Sequence, residues 1–149
     1  LAVHRDIVLR WISQISALIA RLLRRDPSLS LDLVHHYLED AEAQLLGPAS
    51  NLIERLDPPS AAALLDDPHR LFGYAHVLAL RSALHRAEGR PDDARACARR
   101  SVAFAREACR RIDPVPTEWT AWITAAEAEV GAEAPPGPPE GGAGSPAPG

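Results

Sequence analysis

The sequence has no lysine: all sixteen basic residues are arginine. A GC-rich coding sequence produces that bias, and the abundant Ala and Pro agree with it, so the choice of Arg alone carries no function. Aromatic residues are scarce at 5%. Strands need aromatic and β-branched residues at alternating positions, whereas Ala, Leu and Arg, which dominate here, favour helices. No apolar run reaches the roughly 18 residues that would span a membrane. The nearest, "IVLRWISQISALIARLL", is broken by Arg10, Arg21 and its Ser and Gln positions, and it lacks the small-residue cleavage site of a signal peptide. The chain therefore reads as cytoplasmic, with no membrane partner.

Cysteine is nearly absent. Cys97 and Cys109 are the only two, and neither has a Cys-x-x-Cys neighbour. On one helix they stand roughly 18 Å apart, beyond the roughly 7 Å that a disulfide tolerates, so both read as small buried core fillers. G-x-S-x-G, the Walker A loop and G-x-G-x-x-G are all missing, which removes the usual nucleophile-elbow, P-loop and dinucleotide signatures. Glu-x-x-His, the ligand spacing of helical di-iron sites, does not occur. The paired His35 and His36, with Glu39 and Asp40 one turn on, point about 100° apart and make poor joint ligands. Neither a cofactor nor a metal is expected.

What is present reads as helices. Ile7, Trp11, Ile15, Leu18 and Leu22 repeat at helical spacing from Asp6 to Arg25. A second helix runs from about Ser30 to Leu46, with a seam of Leu31, Val34, Leu38, Ala41 and Leu45, and Gly47-Pro48 stops it. Prolines 48, 58, 59 and 68 break the following stretch into short turns, for which Ser50 and Ser60 are candidate N-caps. Asp67-Pro68 opens a third long helix that ends at Gly89. Pro91-Asp92-Asp93 opens a fourth, to about Ile112, and Thr117 a fifth. Residues 132–149 have the composition of a disordered Pro/Gly-rich tail. The fold class is all-α: one domain over residues 1–131, with five main helices.

In the fourth helix Cys97, Ala98, Ser101, Ala105, Ala108, Cys109 and Ile112 share a face, and small residues there let a neighbouring backbone come close. Leu78, Ser82, His85, Gly89, Ala94, Ala98 and Ser101 resemble the spacing of a tetratricopeptide repeat. The likeness covers residues 71–111 once, without a second copy at a 34-residue period. His85 and Ala98 stand where that family has aromatics. The resemblance implies a TPR-like helical hairpin, not an array. "HRDIVLRWI" is similar to the opening of a family of uncharacterised bacterial proteins that begin with a D-Y-I-x-R-x-I run; Asp6, Ile7, Arg10 and Ile12 fit and the Tyr is missing. That likeness implies a helical chain with a hairpin toward its C-terminal half; the family has no assigned activity to carry over, so the likeness bears on fold and not on function.

The net charge of −4 is spread in blocks: residues 1–25 carry +4, 26–85 −6, 86–111 +4 and 112–149 −6. Blocks of alternating sign can neutralise one another within the fold or in a second copy. Arg95, Arg99, Arg106 and Arg110 fall within roughly 60° of arc on the fourth helix. They are candidates to dock an acidic segment, either the Glu-rich fifth helix and tail or a partner. Trp119 and Trp122, an i,i+3 pair, are candidate anchors for a partner. Nucleic acid is disfavoured, because aromatics do not interleave with the Arg stripe and acidic blocks flank it. The expected role is a non-catalytic protein–protein interaction or self-association module. A helical metal-binding protein or enzyme built from His and carboxylates, and nucleic-acid binding through the Arg stripe, are the alternatives.

Overall fold

The computed structural model describes residues 30–133, with residues 10, 13, 14, 17, 20, 21 and 24 ahead of them. Of the expected first helix, Arg10, Ser13, Gln14, Ala17, Ala20 and Arg21 are helical and exposed. Its apolar stripe, and the tail from residue 134, lie outside the described residues. Among the described residues every regular element is helical: α1 (Leu31–Leu46), a 3₁₀ turn (Gly47–Ala49), α2 (Ser50–Arg55), α3 (Pro58–Leu65), α4 (Pro68–Ala87), α5 (Pro91–Arg110) and α6 (Thr117–Glu133). The chain is an all-α helical bundle.

The helix boundaries follow from local chemistry. Ser30 accepts a bond from the Leu33 amide and starts α1, and Gly47, at φ +63°, ends it in a backbone region that side chains disfavour. Asp67 caps α4 through the amides of His69 and Arg70, with Pro68 in the first turn. Gly89, at φ +75°, makes the turn into α5. Two expected caps are corrected. Asp57, not Ser60, caps α3, its carboxylate accepting from the Ser60 amide. Ser50 is the first residue of α2, and the position before it, Ala49, supplies no side-chain bond.

Val34, Leu38, Ala41 and Leu45 of α1 are buried as the seam requires, while Leu31 at its N-terminal end is 40% exposed. They pack on α4, whose Leu71, Tyr74, Ala75, Val77 and Leu78 are buried. Arg70 at the start of α4 donates to the Leu45 carbonyl at 2.7 Å, which satisfies an orphan acceptor at the end of α1. The helices are then laid side by side, α1 on α4, α4 on α5 and α5 on α6.

The α4–α5 contact is the most extensive, and small residues explain it. The buried Ser82 hydroxyl donates to the Ala94 carbonyl, and the buried Ser101 hydroxyl to the Ala75 carbonyl, each at 2.6 Å. Such bonds need the two backbones close together. The face of α5 is not quite the one the wheel implied. Its buried residues are Ala94, Ser101, Val102, Phe104, Ala105, Glu107 and Ala108, while Cys97 and Cys109 are both only half-buried. Phe104 displaces the expected centre, because an aromatic ring seeks the core and packs edge-on against Tyr74 with centroids 4.9 Å apart.

Candidate functional site

Two charged residues stand on the core side of their helices. Glu42 follows Leu38 by four positions and precedes Leu45 by three, so the α1 seam carries it inward, where it is 6% exposed. Arg81 follows Leu78 by three positions and reaches Glu42 from α4, bonding its Oε2. Together with Glu54 of α2, Tyr74 and Leu78 of α4 and Arg100 of α5 they line an open cleft of about 240 Å³. Four helices meet there.

Arg100 builds one wall. Its Nη1 donates to the Leu56 carbonyl at 2.9 Å, and its Nη2 donates to those of Ile53 at 2.7 Å and Glu54 at 3.4 Å. These are the orphan acceptors at the end of the six-residue helix α2, and a cation is favoured at that end of the helix dipole. The guanidinium also lies over the Phe104 ring, 4.8 Å from its centroid. Arg100 therefore fixes where Glu54 stands.

The electrostatics of the cleft are lopsided. Burial first, and the neighbouring Glu54 carboxyl after it, push the Glu42 carboxyl up to about 7 against the opposing pull of Arg81. Burial likewise pushes the Tyr74 hydroxyl up to about 12. The Cys97 thiol beside the cleft is raised by burial too, so it is held as the weakly nucleophilic thiol rather than the thiolate. Because the fold prefers Glu42 protonated, its contribution to stability is full below the unfolded value near 4.5 and is lost as pH rises through about 7. Urea unfolding of Glu42→Gln beside the parent chain isolates this effect. Between about pH 5.5 and pH 8.5 the parent should lose on the order of 2 kcal/mol more than the variant.

The expected partner-binding residues are spread over two other places. Arg106 bonds Glu127 of α6, its Nε at 2.9 Å from Oε1. Arg95 pairs with Asp92 and Arg110 with Glu107, both within α5. Arg99 is exposed, with no ion pair among the described residues. Trp119 is buried and Trp122 half-buried, so both rings are spent inside the fold. Trp119 stacks on Phe72 at 4.2 Å and 6° between planes, and takes the edge of His69 at 5.3 Å. Trp122 stacks on His76 at 4.4 Å. The His76 Nδ1 donates to the Phe72 carbonyl at 3.1 Å, and burial holds its imidazole below the usual value. These rings fasten α6 to α4.

Glu42, Glu54, Tyr74, Arg81 and Arg100 were not among the residues expected from sequence. The available signal was a charge at core spacing in two helices, Glu42 and Arg81. Nothing local marks Glu54, whose place depends on Arg100. Among the described residues the remaining histidines do not gather. His35 bonds Glu88 at 2.8 Å, His36 approaches Asp40 at 3.5 Å, and the buried Nδ1 of His85 finds no partner among the described residues. Among the described residues no group of three or more His, Cys, Asp or Glu is placed to hold a metal ion. No described helix is long and apolar enough to cross a membrane. Compared with family models, curated proteins and solved structures, the chain matches none.

Proposed function

We propose that the chain is a non-catalytic interaction module that reads a protein partner through the cleft, with α4 and α5 serving as a TPR-like hairpin. The observation that carries this reading is the disposition of α4. Phe72 and His76 hold α6 on one side, and Tyr74, Leu78 and Arg81 face the cleft about 180° away around the helix. One side of the hairpin is covered by α6, and on the other side, among the described residues, the charged cleft stays open between α1, α2, α4 and α5. The two serine-to-carbonyl bonds support the hairpin reading, since they mark the close approach that small residues at those offsets permit. Ordered charges in an open cleft give register and discrimination to an encounter more than raw affinity.

Affinity purification of the full chain from its native cells, compared by quantitative mass spectrometry across variants, tests the proposal. One protein should be recovered in near-stoichiometric amount with the parent and with Glu129→Arg, and lost with Glu54→Arg. Glu54 and Glu129 are both exposed, so neither change threatens the fold. Identical recoveries from all three chains would overturn the reading.

A further inference from the structure

The cleft walls differ in what they have left to offer. Arg81 is bonded to Glu42, and both Nη atoms of Arg100 are committed to carbonyls of α2. The carboxylates are less well served. Among the described residues only Arg81 donates to Glu42, and it takes Oε2. The other group within hydrogen-bonding reach of Glu42 is the Glu54 carboxyl, which brings a second acceptor rather than a donor. Arg81 supplies one cation to Glu42, and the second carboxylate beside it calls for a proton or a further cation between the two when both are ionised. The tyrosine hydroxyl of Tyr74 adds a third oxygen to the lining, and Leu78 adds an apolar patch beside it.

Resting on the interaction reading above, we infer that this cleft binds a primary ammonium group, carried by a lysine side chain of a partner or by a free polyamine. An ammonium has three donors in a compact head, which match the free oxygen of Glu42, the Glu54 carboxylate and Tyr74 Oη. Its methylene stem suits Leu78, and a cavity of about 240 Å³ accommodates the head with part of the stem. An anion would meet the two carboxylates. A metal ion would find two acidic ligands, and no group of three gathers among the described residues. The charged and titratable groups facing Glu42 are Glu39 on its own helix, Glu54 on α2, Tyr74 and Arg81 on α4, and Cys97 and Arg100 on α5. An incoming ammonium displaces the proton held between Glu42 and Glu54, so binding strengthens as pH rises from about 6 to about 8.

Isothermal titration of the full chain with N-acetyl-lysine amide and with spermidine, at about pH 8 and at about pH 6, tests the site. Binding of at least one amine is expected at the higher pH, weakened about tenfold or more by Glu54→Gln and unchanged by Glu129→Gln. N-acetyl-norleucine amide, which has an apolar side chain and no charge, should not bind. Tighter binding of the lysine probe assigns the site to a partner's lysine and tighter spermidine binding to a free polyamine; either supports the inference. If neither amine binds, the pair of carboxylates holds only a proton and the inference is overturned. Equal weakening by Glu54→Gln and Glu129→Gln would overturn it as well, since that marks general attraction to an acidic chain. A partner lost with Glu54→Arg but no amine binding would leave the interaction module standing and remove the ammonium.

Discussion

Trp119→Ala should cost about 4 kcal/mol of unfolding free energy, the range for emptying a large aromatic site in a core. The ring is 5% exposed and ties α6 to α4 through two contacts, the face of Phe72 and the edge of His69. Its loss leaves a void that the helices on either side cannot fill. Two tryptophans three positions apart give an internal comparison. Trp122 is only half-buried, so Trp122→Ala should cost roughly half as much. Trp119→Phe keeps a stacking partner for Phe72 and should recover most of the loss. Urea unfolding followed by far-UV circular dichroism gives all three numbers. A Trp119→Ala chain as stable as the parent would mean that α6 does not depend on these rings.

Arg100→Ala should destabilise the chain by about 2–3 kcal/mol, because charge-assisted bonds exceed neutral ones and their loss leaves carbonyls short of donors. The effect should be regional in character. The six-residue helix α2 is too short to persist by propensity, and its last carbonyls look to Arg100. Arg100→Lys should restore little, since a point charge cannot span the Leu56 and Ile53 carbonyls as the planar fork does. Amide hydrogen exchange is the direct readout. Protection should fall first over residues 50–56, while the α4–α5 hairpin keeps its own. Uniform loss of protection over the whole chain would show that α2 has no separate dependence on this side chain.

The helices were legible because their signals are local. Ser30, Gly47, Asp67, Pro68, Gly89 and Pro91 each act on the residues beside them, and each marks a boundary in the structure. The seam of α1 and the small face of α5 were legible for the same reason, through spacing. Cys97 shows the limit of spacing. A wheel says which residues share a face, but not where the neighbour lies, and Phe104 rather than Cys97 turned out to set the buried centre. The caps of α2 and α3 failed because Ser is favourable at an N-cap without being required there. Asp57 was available three residues before the Ser60 amide and won the place.

The cleft was hidden for a different reason. Glu42 and Arg81 stand at core spacing, but spacing within one helix does not say that they meet each other, Glu54 and Arg100. The Arg stripe illustrates the converse. Four arginines on one face were conspicuous in sequence, yet Arg95 and Arg110 are paired within their own helix and Arg106 with the next. A conspicuous pattern on a surface is more easily satisfied locally than a quiet charge carried into the core.

Side-by-side stacking of successive helices also orders the work of assembly. Closing a loop costs entropy that grows with its length, and most helix contacts here join elements that follow each other along the chain. Ser82 finds Ala94 across only 12 residues. The cleft is made of the distant encounters: Glu42 and Arg81 are 39 residues apart, and Arg100 and Ile53 are 47. The hairpin rests on short closures, which cost the least entropy, and the charged recess rests on much longer ones.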